Sequence, residues 1–233
     1  MFNELKDQDN FVELAIKKYT EESKFWYLLN RTMRNFDEGL IISYAYFMGP
    51  FLYGLNKYVK ENPTYGFRED MTLYRDIKCS ELDFYLYVIN LNHIICFPSM
   101  TSTTINTKKV FHPGKVGKQV NNIVPSDDDF VNIKMIFKYK HKPDNISPGI
   151  IISNNRGIDG NYLSKHPKEG EVILFPFTFV KINKIEKDKE KTNSYIMYLD
   201  IINRNTYIEY ALKNNVEKRF LFNELDKKYN KIK

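Results

Sequence analysis

The stretch Lys168-Glu169-Gly170-Glu171-Val172-Ile173-Leu174-Phe175-Pro176-Phe177-Thr178-Phe179-Val180 sets two carboxylates, spaced i and i+2, at the mouth of a strongly apolar run. Its β-branched and aromatic residues read as a strand over 171–182. In an extended segment residues two apart point to the same side, which predicts Glu169 and Glu171 on one face about 7 Å apart. At that separation each carboxylate disfavours ionisation of the other. Paired acids serve a purely structural strand poorly and a catalytic one well, so the pair is a candidate site.

Outward from this run, the chain divides into two textures. From Phe11 to about residue 60 the apolar residues recur at three and four, as Phe11, Leu14, Ala15 and Tyr19, then Phe25, Leu28, Leu29 and Met33. This spacing predicts helices over about 9–20, 22–35, 37–48 and 50–61, with Pro50 in the first turn of the last and Pro63 closing it. Trp26 reads as core. After Thr64-Tyr65-Gly66 the texture changes to short runs of Tyr, Phe, Ile, Val and Thr, which predict strands over 71–78, 93–104, 131–138, 148–153, 171–182, 193–203 and 206–212. The charged insert from Lys184 to Thr192 is the expected tip of a hairpin, where lysines also blunt an exposed strand edge. An amphipathic segment from Val216 to Tyr229 is a last helix or a tail.

These readings give an α+β chain in which 1–65 form a helical lobe, 66–215 a β-rich core and 216–233 a C-terminal helix or tail, all within one domain. With 233 residues, 42% hydrophobic and 15% aromatic, the chain can bury a substantial core. The 35 Lys and Arg exceed the 29 Asp and Glu by six, which favours encounter with acidic partners. Most lysines are interspersed with Glu and Asn, so the charge is dispersed over solvated faces, and nucleic acid is not an expected partner. Cys79 and Cys96 are too few for a disulfide scaffold and are expected as buried thiols, with a single bridge between them as the alternative. His93, His112, His141 and His166 have no spacing suited to zinc, and Asp127-Asp128-Asp129 point in alternating directions, so no metal is expected. Gly114-Lys115-Val116-Gly117-Lys118 lacks the spacing and closing hydroxyl of a phosphate loop, and no G-x-G-x-x-G follows a strand. The uncharged run Gly39–Leu55 is short for a membrane span, carries Ser43 and three tyrosines and contains Gly49-Pro50, so it reads as buried helices joined at a turn. The charged N-terminus lacks the apolar stretch of a secretory signal, which leads us to expect a cytoplasmic protein or an effector exported without a classical signal peptide.

Three short constellations lie at or beside the expected strands. They are Leu73-Tyr74-Arg75-Asp76, then Phe97-Pro98-Ser99-Met100-Thr101-Ser102-Thr103-Thr104, then Glu169-Gly170-Glu171. An arginine on a strand, an aromatic followed by Ser-Thr-Thr on a strand, and Glu-x-Glu leading into a strand resemble, in that order, the R-S-E signature of arginine-specific mono-ADP-ribosyltransferases. The resemblance extends upstream through Phe25-Trp26-Tyr27-Leu28-Leu29-Asn30-Arg31 and spans roughly residues 10 to 212. It implies a helical lobe packed on a mixed, mainly antiparallel β-sandwich whose two sheets part to form a cleft for NAD, which is consumed as a co-substrate.

Carried over residue by residue, the resemblance implies that Arg75 holds a phosphate or ribose of NAD, a task that suits the donor fork of a guanidinium. Ser102 would bond Glu171 and fix its rotamer, and Thr103 would brace the binding strand. Glu171 would bond the nicotinamide ribose and stabilise the positive charge that grows on that sugar as the glycosidic bond breaks. Glu169 would orient the acceptor guanidinium and help remove its proton. Phe111 is a candidate to stack on nicotinamide. The sequence departs from the family pattern at Asp76, where a glycine is usual, at Thr104, where the hydroxyl is kept, and at His166, where an aromatic often recognises the substrate. The expected activity is transfer of ADP-ribose from NAD to arginine on a protein by a monomeric enzyme. The alternatives are an NAD glycohydrolase that uses the same site and a catalytically inactive basic binding module on the same fold. The binding module is distinguished by strong salt-dependent nucleic-acid binding without any NAD-induced thermal shift.

Overall fold

The computed structural model describes residues 11–21, 24–35, 38–107, 130–143, 145–153, 155–157, 160–189 and 191–203. Its helices are α1 (Phe11–Thr20), α2 (Lys24–Asn35), α3 (Glu38–Glu61) and α4 (Glu81–Ile89), with a short 3-10 turn at Pro63–Tyr65. Its strands are β1 (Met71–Ser80), β2 (Ile94–Phe97), β3 (Thr101–Thr104), β4 (Phe130–Tyr139), β5 (Gly149–Ile151), β6 (Glu171–Leu174), β7 (Thr178–Lys187) and β8 (Ser194–Ile202). The strand expected over 206–212 and the segment 216–229 lie outside the described residues. No helix among those residues is long and apolar enough to cross a membrane.

The helices expected over 37–48 and 50–61 are one. Gly49 and Pro50 are both exposed, so the carbonyl that loses its donor at the proline can face water, and nothing lies within 4 Å of where a Gly49 Cβ would sit. On the other side of the same helix Phe47, Met48, Phe51, Leu55 and Val59 are buried, and this apolar stripe runs straight past the proline. Phe47 and Phe51 stack with ring centroids 5.4 Å apart, and Trp26 meets Phe51 at 5.4 Å. Each fully buried aromatic contributes about 1.5–3 kcal/mol, which is comparable with the cost of about 3 kcal/mol for an interior proline.

The strand expected over 93–104 is two. Pro98 cannot donate to a ladder, and the chain turns through Ser99 and Met100, so β2 pairs with β7 while β3 lies between β1 and β6. The strand expected over 171–182 is also two. It breaks at Phe175-Pro176-Phe177, where Phe177 takes a φ of 62° and the Thr178 hydroxyl donates to the Phe175 carbonyl at 2.6 Å. Helix α4 is capped by Ser80, whose hydroxyl accepts the Asp83 N–H at 3.1 Å, with Glu81 and Asp83 in its first turn. Its Tyr, Phe, Val and Ile content hides it from a reading by propensity, whereas the Ser-x-x-Asp cap reveals it.

Hydrogen bonding joins the described strands into one eight-stranded sheet, ordered β2-β7-β8-β4-β1-β3-β6-β5, where the sequence reading expects two. All neighbours are antiparallel except β4 and β8, which are parallel. The segment β3-β6-β5 joins the rest through a single pair, Tyr74 with Thr104, so the sheet can curl there while staying continuous. Helices α1 to α3 pack with Met100, Ile150, Ile152, Leu163, Ile173 and Phe175 in one apolar cluster. A second cluster gathers Leu73, Val131, Ile133, Met135, Phe137, Val180, Ile182, Met197 and Leu199. Strand β6 serves both, because its alternation sends Ile173 to the helix side and Val172 and Leu174 to the other. The tip of the β7–β8 hairpin carries Asp188, Lys189, Lys191 and Thr192, as the charged insert predicts. Cys79 and Cys96 are both free, and Cys96 is exposed rather than buried.

Candidate functional site

The register of β3 against β6 aligns Ser102 with Ile173 and Thr104 with Glu171. Directly opposed residues share a face, and so do residues two apart, which places Ser102, Thr104 and Glu171 on the helix side with Ile173. Helix α1 covers that side, and Tyr19 in its last turn reaches the sheet with its hydroxyl 2.9 Å from Ser102 Oγ. Arg75 comes from β1, where it is aligned with Met135, and its Nη1 donates to the Ser102 carbonyl. A guanidinium and a serine 27 positions apart in the chain are thereby joined, and the register sets a carboxylate 69 positions further on along the face that carries Ser102.

Electrostatics reports the same convergence. Burial raises the Tyr19 hydroxyl above its ordinary pKa of 10; the bond to Ser102 and the positive charge of Arg75 pull it down, and the negative charge of Glu171 pushes it up. Both charges therefore act on one hydroxyl. Burial lowers the Arg75 pKa below its ordinary value, with Tyr19 opposing and the nearby Arg34 charge acting in the same direction as burial. Among the described residues Arg75 forms no ion pair. A desolvated guanidinium without a carboxylate partner has the chemistry to bind an anion.

Glu171 is 3% exposed, and its Oε2 accepts the Ser164 hydroxyl at 2.7 Å. Its backbone N–H donates to Ser153 Oγ. The resemblance implies a bond from Ser102 to Glu171; instead the Ser102 hydroxyl meets Tyr19 and a loop serine meets the carboxylate. Tyr19, Ser153 and Ser164 were not among the candidates from sequence. Tyr19 sits in an apolar periodicity that reads as core, and a lone serine in a loop carries no local signal.

Glu169 is half-buried and precedes β6, because Gly170 adopts a left-handed φ of 68°. The run from 169 to 171 is therefore not extended, and the two-residue alternation expected of the acid pair does not hold across it. A Cβ at Gly170 would lie 2.9 Å from Ile105 Cγ1 and 3.2 Å from Thr104 Oγ1, so the position is doubly restricted. Gly170→Ala is expected to cost about 1–3 kcal/mol, a drop in melting temperature of roughly 2–12 °C for a chain of this size. Thermal denaturation reads it directly, and an unchanged melting temperature would contradict the strained turn.

Thr104 ties this turn to β3: its hydroxyl donates to the Glu169 carbonyl at 2.6 Å and accepts the Asn106 N–H at 2.9 Å. Thr103 is fully buried on the other face, where its hydroxyl donates to the Val172 carbonyl at 2.9 Å, a strand-bracing contact. Asp76 is aligned with Lys134 and, one residue along β1 from Arg75, lies on the opposite face of the strand. His166 is exposed, with its N–H donating to Ser164 Oγ at 3.0 Å. Phe111 lies outside the described residues. Among the described residues no group of three or more His, Cys, Asp or Glu is placed to hold a metal ion.

No protein-family model matches the chain, and no curated protein matches it. Among solved structures it is similar to Vis, an ADP-ribosyltransferase from Vibrio splendidus solved with an inhibitor, at 16% identity over 86% of this chain and 77% of that one, with a TM-score of 0.52. Plx2a, an ADP-ribosyltransferase toxin from Paenibacillus larvae, aligns at 13% identity over 86% and 90% of the two chains, with a TM-score of 0.50. C3stau2 from S. aureus, solved with NAD, aligns at 12% identity over 85% and 89%, also with a TM-score of 0.50. The chain has the fold of these ADP-ribosyltransferases.

Proposed function

We propose that the chain transfers ADP-ribose from NAD to an arginine side chain of a protein and releases nicotinamide. The observation that carries this reading is the bonding of Arg75 and Tyr19 to Ser102, with Glu171 on the same face of the sheet as Ser102, on a fold shared with ADP-ribosyltransferases. Arg75 supplies a desolvated fork of donors for a phosphate of NAD. Glu171, held in a site with little water, stabilises the cationic sugar formed as the bond to nicotinamide breaks, because a nearby negative charge acts strongly where the local dielectric is low. Glu169, on the adjoining turn, orients the acceptor guanidinium and takes up a proton from it, without which arginine is a poor nucleophile. The enzyme works as a monomer on a protein that carries the acceptor.

Labelled NAD and an arginine-containing protein acceptor test the reading. The transfer proposal expects label on arginine and nicotinamide release that rises with the acceptor. Nicotinamide release that is indifferent to the acceptor, with no label transferred, would make the chain a glycohydrolase. Glu169→Gln is expected to lower transfer to arginine at least about 100-fold, within the usual range for a lost general base, while nicotinamide release into water falls by less than about tenfold. Equal loss of both would remove Glu169 from acceptor recognition.

A further inference from the structure

On the function proposed above, we propose that Ser164 positions the Glu171 carboxylate, a task that the resemblance assigns to Ser102. The Ser164 hydroxyl has one proton, and its oxygen already accepts the His166 N–H at 3.0 Å. The proton is thus directed to Glu171 Oε2, which it meets at 2.7 Å with both residues 3% exposed. A charge-assisted bond of this length in a dry setting fixes the orientation of a carboxylate.

The backbone on both sides of Ser164 is held. Leu163 is fully buried in the helix-side core, and its N–H donates to the Asn155 carbonyl at 2.9 Å. On the other side the Lys165 N–H donates to Thr20 Oγ1 at 3.3 Å, which ties the loop to the end of α1 next to Tyr19. The same turn continues through the Glu169 N–H, which donates to the His166 carbonyl at 3.0 Å, and through Thr104, which grips the Glu169 carbonyl. One loop therefore fixes the sugar-stabilising acid through Ser164 and carries the acceptor-orienting acid itself. Ser102 is left to bridge Tyr19 through its hydroxyl and Arg75 through its carbonyl.

The test uses the full chain labelled with carbon-13 at glutamate carboxyls, titrated by NMR as wild type, Ser164→Ala and Ser153→Ala, with nicotinamide release measured in parallel. Losing a donor to the ionised carboxylate disfavours that form, so in Ser164→Ala the Glu171 titration and the acid limb of nicotinamide release are expected to move to higher pH by about one unit. The same variant is expected to lose about 10–100-fold in kcat with KM for NAD within about threefold, the pattern of an acid held out of register. Ser153→Ala serves as the control, because that serine meets the backbone of Glu171 and not its carboxylate, and the carboxyl titration should stay in place. Ser164→Cys keeps the volume with a weaker donor and should move the titration in the same direction as Ser164→Ala, which keeps the test open if the alanine variant folds poorly. A Glu171 titration unmoved by Ser164 replacement, or moved equally by Ser153→Ala, would overturn the assignment. A wild type that releases no nicotinamide, with the titration shift intact, would instead overturn the proposed function and leave the Ser164–Glu171 pairing standing.

Discussion

Glu171→Gln is expected to lower nicotinamide release from NAD roughly 1000-fold while leaving the fold and NAD affinity nearly intact, the scale seen when a preorganised electrostatic group is removed from a site. The amide keeps the shape of the side chain and can still accept from Ser164, so packing is conserved at a residue that is 3% exposed. On the proposed function, what disappears is one negative charge beside the sugar, and that charge matters only as the sugar becomes cationic. The loss should therefore fall on kcat and leave KM for NAD within a few-fold. Steady-state kinetics over a range of NAD concentrations separates the two, and near-wild-type kcat in this variant would remove Glu171 from the chemistry.

Arg75→Ala should show the opposite signature. The guanidinium is desolvated, unpaired by any carboxylate among the described residues, and bonded through one nitrogen to the Ser102 carbonyl. Hydrogen bonds to charged groups contribute about 1.5–3 kcal/mol, so its loss is expected to weaken NAD binding about 10–100-fold and to appear mainly in KM. Arg75→Lys keeps a charge but loses the planar fork and is expected to recover only part of the affinity. Isothermal titration with NAD measures this directly, and unaltered affinity in Arg75→Ala would contradict the role proposed for Arg75.

Much of the architecture was legible because periodicity is a local property. The 3.6-residue stripes of Phe11 to Tyr19 and Phe25 to Met33 specify helices, and the alternation of Val131, Ile133, Met135 and Phe137 specifies a half-buried strand. Legibility failed where tertiary packing overrides a local rule. Pro50 reads as a boundary, yet the buried face of α3 runs past it, and an unbroken apolar run through Phe175-Pro176-Phe177 conceals a turn. Pairing order was also out of reach, because nothing in Tyr74 or Thr104 announces that a single contact between them closes the sheet.

The candidate site divides in the same way. Arg75, Ser102 and Glu171 stand out through their short motifs; the strand register sets Ser102 and Glu171 on one face, and a hydrogen bond joins Arg75 to the Ser102 carbonyl. Tyr19 and Ser164 do not, because their tasks are assigned by atoms contributed from distant segments: α1 over β3 for the tyrosine, and a loop folded back on β6 for the serine. The motif identifies which acid to examine, and the three-dimensional packing identifies what holds it.

The most direct test of the central claim is a crystal structure of the Glu171→Gln variant with NAD. We predict a phosphate of NAD within hydrogen-bonding distance of the Arg75 guanidinium and the nicotinamide ribose against the side chain at position 171, beside Ser102 and Tyr19. NAD bound elsewhere on the protein, or a crystal soaked with NAD that shows none between these residues, would contradict it.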